Sequence, residues 1–434
     1  LTYANIGIKS TCTIEGYGSL YLNVTTLSSA FSTGNSKGAL KYAVLDNTST
    51  TSTVTVASLL NQQFNIVSKG SITSTGKITL LTKQLSNTKL NKYLIVIYAD
   101  VSKIANDAMD ASFNGTVSAD ANQGKAPITP EDQLVNLGLS VSSGTPNFTK
   151  TSIDDKTNGI YSAKDDLGTS YYFRGNVTNN YVKFANKYWR IIRINGDGTI
   201  RMIYAGTSAH ANGYNDSSTD DMSIGTSAFN SIYNDNTYVG YMYGTKGAST
   251  YEDTHSNTTN STIKTKLDSW YDTNIVNTGN EKYIADAIYC NDRSVSSGTG
   301  IGTTETTYAA KTRGDNGTPT LKCPNNNDKF TKSTTIGNGK LTRMIGLITS
   351  DEVMYAGGTV STNTEYYLYS GTFYWTMAPY SYASDSAGVC GVGDLGDLGS
   401  RYVDSPFTVR PVVSLKSDAI SGGSGTAVSP FLVG

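Results

Sequence analysis

The residues best suited to binding a ligand lie within residues 374–411. This segment contains a set of large or rigid residues, which we call the frame. The residues between them follow no regular pattern, and we call them the filling. The frame consists of Trp375, Pro379, Val389, Val392, Leu398, Val403, Arg410 and Pro411. Much of the filling is Tyr, Ser, Gly and Asp. Binding surfaces use these types because rigid aromatic rings give contact area at low entropic cost while small polar groups adapt their hydrogen bonds. The pattern therefore favours recognition over catalysis.

The composition of residues 380–408 is also selective. This stretch contains no Lys, Glu, Gln, Met or Trp, which are the residue types that a codon ending in a pyrimidine cannot encode. An alternative interpretation stays open. In it, the segment is a surface loop rich in Gly, Ser and Asp, and the five residue types are missing by chance.

The length and composition of the chain limit the classes of protein to which it can belong. A chain of 434 residues exceeds what one core usually supports, so we expect at least two domains. A net charge of -1 leaves no basic surplus for nucleic acid or anionic lipid. Thirty Tyr and a charged fraction of 16% fit a secreted, mainly β surface protein. The sequence contains no apolar run long enough to span a membrane, and its first residues suggest a processed end.

The four cysteines match no metal-binding spacing and lie at Cys12, Cys290, Cys323 and Cys390. Cys290 and Cys323 flank a loop rich in Gly, Thr and Asn, so we expect a disulfide between them, with the other two unpaired. The two histidines, His210 and His255, lie singly among small polar residues. We expect both to be solvated, and we predict no metal or cofactor site.

The first part of the chain reads as short strands separated by turn-forming residues. Strands are predicted at residues 20–24, 41–45, 53–57, 64–67, 77–81, 93–98 and 112–117. Residues 93–98 are apolar on both faces, which marks a central strand. The fold class predicted for the whole chain is mainly β with few helices, beginning with a jelly-roll-like β-sandwich over residues 1–120. Residues 121–158 are predicted as a connector with a helical piece at residues 131–137.

From residue 159 onward aromatic residues become dense and loops longer. Residues 187–204 predict a hairpin across the turn 195–198, although Asn195 and Asp197 also imitate part of a calcium loop. Helices are predicted at residues 263–270 and 351–354. Asp351 and Glu352 are open to interpretation as a catalytic pair, but their position at a helix start favours capping.

Several segments of this second part resemble one known group of proteins. They are residues 181–184, 188–198, 346–349, 374–377 and 409–416. The group comprises secreted bacterial surface proteins with a C-type lectin fold of the formylglycine-generating-enzyme-like branch, as found in variable proteins of diversity-generating retroelements. The resemblance implies a C-type-lectin-like α+β domain over residues 159–434. In that family the variable codons are mutated at adenines, which would explain the missing residue types.

The resemblance also implies which side chains vary and face a ligand. They are Cys390, Gly391, Gly393, Asp394, Leu395, Asp397, Arg401, Tyr402, Asp404, Ser405 and Phe407. The preceding candidates in the same segment are Tyr380, Ser381, Tyr382, Ser384 and Asp385. We expect the aromatic members to supply affinity and the charged members specificity.

The N-terminal part is similar to the jelly-roll subunits of TasA/camelysin-type biofilm fibres, in strand spacing and in the segment at residues 110–115. This similarity implies polymerisation by donor-strand exchange, with Leu1, Tyr3, Ile6 and Ile8 on the exchanged strand. An ordinary first strand paired within its own domain is the alternative.

The hypothesis we favour is a cell-surface protein that displays a variable binding face to a protein or glycan ligand, with the first domain anchoring or polymerising. A filament subunit with a decorative C-terminal domain is the second hypothesis. The third is an enzyme of the formylglycine-generating or glycosidase kind, for which Asp216, Asp220 and Asp221 are candidate carboxylates. Against it, the sequence contains no recognisable nucleophile motif, so we predict no enzymatic activity.

Overall fold

The structure is a computed structural model of the 434-residue chain. It describes residues 2–8, 16–46, 65–85, 90–123, 128–149, 157–213 and 221–434. The chain divides into two compact units, Leu1–Pro127 and Ile128–Gly434. Strands make up 38% and helices 16%, which confirms that the fold is mainly β.

The first unit contains two sheets whose apolar side chains share one core. The four-stranded sheet has the order β1-β6-β3-β4, and the three-stranded sheet has the order β5-β2-β7. Leu20 and Leu22 from the second sheet and Val44 and Ile95 from the first lie in this core. The elements are β1 (Thr2–Ile8), β2 (Gly16–Leu27), α1 (Ser29–Ser32), β3 (Leu40–Asp46), β4 (Ile66–Ser71), β5 (Gly76–Leu85), β6 (Asn91–Ala99) and β7 (Phe113–Gln123).

Strand β6 is central, as its two apolar faces predict. It pairs with β1 on one edge and β3 on the other. Ile95 is buried on one face of the sheet, and Leu94 and Val96 are buried on the other. The strands predicted at residues 20–24, 41–45, 77–81 and 93–98 lie within β2, β3, β5 and β6. The strand predicted at residues 53–57 lies outside the described residues, as do Leu1 and Cys12.

The division between the two compact units falls between Pro127 and Ile128, within the segment predicted as a connector. Strand β7 pairs with β2 as far as Gln123, and the helix α2 (Pro130–Asn136) belongs to the second unit. Leu134 and Leu137 are buried in that unit's core, and Thr129 caps the helix by accepting a hydrogen bond from the Asp132 amide at 3.1 Å. The helical piece predicted at residues 131–137 is therefore present as α2, and its apolar residues join the second core.

The second unit is built on two larger sheets and two strand pairs. The eight-stranded sheet contains β8 (Gly159–Lys164), β9 (Thr169–Arg174), β10 (Tyr181–Phe184), β11 (Lys187–Ile194), β12 (Ile200–Gly206), β24 (Val412–Leu415), β25 (Ile420–Gly422) and β26 (Phe431–Val433). The seven-stranded sheet contains β13 (Thr226–Ser227), β17 (Val295–Ser297), β18 (Thr306–Tyr308), β20 (Tyr374–Ala383), β21 (Ser386–Val392), β22 (Leu398–Tyr402) and β23 (Phe407–Thr408). The two strand pairs are β14 (Met242–Tyr243) with β15 (Thr259–Asn260) and β16 (Tyr289–Cys290) with β19 (Lys329–Phe330).

The predicted hairpin at residues 187–204 is confirmed as the antiparallel pair β11 and β12. Gly198 has a φ of 84°, which suits glycine because it has no Cβ. The carboxylate of Asp197 accepts hydrogen bonds from the amide and hydroxyl of Thr199 at 3.0 and 2.6 Å. That side chain therefore serves the turn itself, as the hairpin interpretation requires.

Helices predicted at residues 263–270 and 351–354 are both present. The helices of this unit after α2 are α3 (Tyr251–Thr254), α4 (Thr262–Tyr271), α5 (Ala309–Asn316) and α6 (Ser350–Ala356). Ser261 caps α4, and Ile263 and Leu267 point one face of it into the core. No helix among the described residues is long and apolar enough to cross a membrane.

The acidic start of α6 has a capping role. Thr349 and Glu352 exchange side-chain-to-amide hydrogen bonds at 3.1 and 3.0 Å, which is a capping box. Glu352 also accepts from Arg193 at 2.9 Å and forms an ion pair with Arg201 at 2.6 Å. Burial raises the pKa of Glu352, but Arg201 and Arg193 more than offset it, so this pKa lies below its ordinary value. The carboxylate anchors the helix to the eight-stranded sheet.

Candidate functional site

The frame residues form the interior of the segment. Trp375, Val389 and Val403 are fully buried, and the other frame residues are buried as well. The indole Nε1 of Trp375 donates to the Ser227 carbonyl at 2.8 Å. Arg410 donates from Nη1 to the Leu368 carbonyl at 2.9 Å, and its guanidinium carbon lies 5.0 Å from the centre of the Tyr374 ring. The frame is thus fixed by apolar burial and by the hydrogen bonds of Trp375 and Arg410.

Strand β21 lies between β20 and β22, so few of its side chains reach solvent. Among the predicted ligand contacts, Cys390 and Tyr382 are 2% exposed, and Gly391 and Gly393 are buried. The structure therefore does not bring these four residues to a surface that a ligand can approach from solvent. The reason is packing, because both faces of the sheet are covered around the middle of β21.

Two other candidates, Ser381 and Tyr402, lie in a row of paired residues that crosses five strands. The strand register pairs Ser297 with Thr307, Thr307 with Ser381, Ser381 with Gly388, and Gly388 with Tyr402. Residues paired directly across strands lie on the same face of a sheet. Ser297 and Tyr402 are exposed, and Thr307 and Ser381 are half-buried. We call these five residues the hydroxyl row, because four of them carry a hydroxyl group.

Two neighbours extend the hydroxyl row. Ser400 is exposed and lies over Gly388, where an added Cβ would come within 2.5 Å of the Ser400 hydroxyl. Tyr380 is half-buried, and Lys311 of α5 lies with its ammonium 5.7 Å from the centre of the Tyr380 ring. Together with the row they form a tyrosine- and serine-bearing surface, which is the composition that adaptable binding faces use.

Arg401 projects to the opposite face from Tyr402, into a trough lined by glycines. An added Cβ at Gly391 would lie 2.8 Å from Arg401 Cγ, and one at Gly399 would lie 3.0 Å from its Nη1. Its Nη2 donates to Asp397 at 3.2 Å. Its guanidinium carbon lies 5.0 Å from the centre of the Phe373 ring. We call this arrangement the arginine trough.

Phe407 packs against Phe373, the ring beside which the Arg401 guanidinium lies. Its ring centre lies 5.2 Å from those of both Phe373 and Trp375. Arg401, Asp397 and Phe407 are therefore engaged within the protein, and they differ in this from the exposed Tyr402.

The remaining candidates lie at the two ends of the β21–β22 hairpin. Asp394 and Leu395 are exposed in the turn between the strands, whose backbone is held by hydrogen bonds from Tyr369 to the Asp394 carbonyl and from Tyr366 to the Gly396 carbonyl. At the other end the exposed positions are Ser384 and Asp385 in the β20–β21 turn and Asp404 after β22, with Ser405 partly exposed.

Two exposed apolar residues adjoin that second end. Ile232 and Tyr233 are 46% and 43% exposed, and the Tyr233 carbonyl accepts a hydrogen bond from the Ala387 amide at 2.7 Å. Sequence reasoning missed both, together with Ser297, Thr307 and Ser400. Their placement depends on strand register between distant segments, and no local pattern encodes that register.

The structure contains a disulfide between Cys290 and Cys323, whose Cα atoms are 5.7 Å apart. Cys390 is a free thiol. Burial raises the pKa of this thiol to about 12, so it stays protonated and unreactive at neutral pH.

The histidines are not the solvated groups that the sequence predicts. His210 lies 2.5 Å from the Asp221 carboxylate, which also accepts a hydrogen bond from the Thr207 hydroxyl at 2.6 Å. Asp216 and Asp220 lie outside the described residues.

His255 is fully buried. Its Nε2 lies 3.0 Å from the Gly300 carbonyl, and its ring packs on Tyr251 at a centroid distance of 4.4 Å. Within the described residues, no cluster of His, Cys, Asp and Glu has metal-binding geometry.

No family model, no curated protein and no solved structure matches this chain.

The arginine trough predicts an interaction between two positions. Gly391→Ala should lower the free energy of unfolding by roughly 1–3 kcal/mol, because the new methyl group overlaps Arg401. In the double variant Gly391→Ala/Arg401→Ala, the cost of the glycine change should fall below about 1 kcal/mol. Urea unfolding followed by tryptophan fluorescence measures this, since Trp189, Trp270 and Trp375 all lie in the second unit.

Gly422→Ala is the matched control, because a Cβ there meets nothing within 4 Å. Equal costs of Gly391→Ala in the presence and absence of Arg401 would contradict the trough.

The buried His255 predicts acid sensitivity. Burial, with Arg293 nearby, lowers the pKa of His255 to about 3, while an unfolded histidine titrates near 6.5. The unfolded chain therefore binds a proton that the native chain rejects, and stability falls as pH falls below the unfolded pKa. Between pH 7 and pH 5 this one residue should remove about 2 kcal/mol. The loss should disappear in His255→Gln, measured by urea unfolding at both pH values, and a variant with the same pH dependence as the native chain would refute the assignment.

Proposed function

We propose that the second unit is a recognition domain of a secreted bacterial surface protein, and that the hydroxyl row and the exposed hairpin ends form its ligand face. One observation carries this proposal. The frame residues are buried and the filling between them supplies the exposed side chains of β20–β22. Exchange at the exposed positions therefore leaves the core unchanged, which a variable binding face requires.

The chemistry of the exposed positions supports binding over catalysis. Tyr402 is 55% exposed and Leu395 is 54% exposed, so both offer apolar area that a ligand can desolvate. Asp385, Asp394 and Asp404 are exposed, and none of the described hydrogen bonds or ion pairs engages their carboxylates. Charges of this kind govern specificity and association rate more than affinity.

The lectin-like fold and the retroelement origin belong to the same proposal. The segment between residues 380 and 408 lacks the residue types that pyrimidine-ending codons cannot encode. The disulfide suits an extracellular location. A buried frame under exchangeable positions is the arrangement that such a mutational mechanism needs, because every product must still fold.

Sequencing this locus in many isolates tests the proposal. Substitutions should concentrate at exposed positions such as Asp394, Ser400, Tyr402 and Asp404, with pyrimidine-ending codons, while the frame stays unchanged. Variation spread evenly between frame and exposed positions, or an invariant segment, would refute the proposal. Synonymous differences elsewhere in the gene give the background rate.

A second candidate function, strand exchange between copies, rests on the geometry of β1. This strand lies at the edge of its sheet, and all seven of its residues pair with β6. Ile8 is buried and Ile6 is half-buried, so the strand contributes apolar anchors, while the side chain of Tyr3 lies outside the described part of the chain. The two sheets over one core fit the proposed sandwich, and a strand of this kind is one that another copy can supply.

Electron microscopy of the purified chain tests strand exchange. The full chain should form filaments, and a variant lacking residues 1–8 should remain monomeric. Monomers from both chains would rule this candidate out without affecting the proposed ligand face.

A further inference from the structure

A second concave surface in the second unit lies outside the proposed ligand face. It is an open groove of about 710 Å³ between the edge strand β17, the helix α3 and the loop at residues 325–328. Ligand sites for small molecules commonly measure roughly 300–1,000 Å³. Its lining includes Tyr251, Glu252, Val295, Thr299, Asn325 and Asn326. We call it the amide groove.

The wall formed by residues 325–328 is held rigidly. Asp328 is buried and forms a 2.5 Å ion pair with the fully buried Arg293, and it also accepts from the Arg293 amide at 3.0 Å. Asn257 donates from its side chain to the Asn327 carbonyl at 2.7 Å. The Cys290–Cys323 disulfide ties the preceding residues to β16. Such a wall loses little entropy when a ligand binds.

The aromatic wall is fixed as well. The Tyr251 hydroxyl donates to the Arg293 carbonyl at 2.6 Å, and the buried His255 ring packs against the Tyr251 ring. Val295 adds a second apolar surface to the lining. The groove therefore offers a preorganised apolar contact beside its polar wall.

The polar groups of the groove have unused capacity. None of the described hydrogen bonds or ion pairs engages the side chains of Glu252, Thr299 or Asn326. Asn325 donates its side-chain N–H to the Ser294 hydroxyl at 2.9 Å, which leaves its side-chain carbonyl oxygen available. All four residues are exposed. The side-chain amide of Asn326 can donate and accept at once, while the Glu252 carboxylate and the Asn325 carbonyl oxygen accept.

The charges of the lining decide between classes of ligand. Among the described residues, no Lys or Arg lines the groove, and the charge of Asp328 is balanced by Arg293. Glu252 is the remaining charged side chain of the lining, so phosphate, sulfate and nucleic acid are disfavoured. A ligand that matches this lining is uncharged, rich in neighbouring hydroxyl groups and apolar on one face.

We propose that the amide groove binds a neutral oligosaccharide, whose vicinal hydroxyls pair with Asn325, Asn326 and Glu252 while a C–H face rests on Tyr251. This site shares strand β17 with the hydroxyl row, but none of its lining residues belongs to that row. A glycan bound in this groove gives the protein an attachment site that stays constant while the ligand face varies.

A glycan array probed with the fluorescently labelled full chain tests this, followed by calorimetric titration of the strongest neutral oligosaccharide. The array should show neutral glycans bound in preference to sulfated ones. Asn325→Ala/Asn326→Ala and Glu252→Gln should each weaken the titrated affinity by about tenfold or more. These side chains are exposed, so unchanged urea midpoints exclude misfolding as the cause.

Glu365→Gln, which removes an exposed carboxylate outside the groove, is the matched control for Glu252→Gln and should leave glycan affinity unchanged, and Tyr402→Ala tests the ligand face. The proposal is overturned if no neutral glycan binds, if sulfated glycans bind preferentially, or if the groove variants bind as well as the native chain. Glycan binding lost in Tyr402→Ala but kept in the groove variants would assign the sugar to the ligand face and overturn the groove. Failure of the groove leaves the sequencing test of the ligand face unaffected.

Discussion

The buried frame around β21 is the constraint on which the rest of the second unit depends. Val389, Val392, Leu398 and Val403 are each at most 4% exposed and lie with Trp375 in one core. Fully burying a side chain of this size contributes about 1.5–3 kcal/mol relative to leaving it in water. Several such contributions in one three-stranded segment make its backbone stable without help from the side chains that point outward.

Strand geometry then decides which positions are open. Successive side chains of a strand point to opposite faces, so Tyr402 reaches solvent in the hydroxyl row while Arg401 turns into the arginine trough. The trough exists because Gly391 and Gly399 leave room for the guanidinium and its stem. A position in the filling is thus free to change only if its neighbours across the strands do not depend on it.

Much of the local structure follows from the sequence, because local signals are strong there. The turn at Asn195 to Gly198, the capping box at Thr349 and Glu352, and the doubly apolar strand β6 all carry their cause within a few residues. The burial of His255 and Cys390 does not, since each is covered by segments distant in the chain. The burial of Leu134 and Leu137 also depends on distant segments, because their apolar partners lie in the core of the second unit.

The proposed function depends on the difference between frame positions, which are needed for folding, and exposed positions, which are not. Stability measurements test this difference most directly. The free energy of unfolding should be compared for alanine variants at the frame residues Val389, Leu398 and Val403 and at the exposed residues Asp394, Ser400 and Tyr402. The account predicts losses of about 2 kcal/mol or more at each frame position and changes within about 0.5 kcal/mol at each exposed one. Similar losses in the two groups would contradict it.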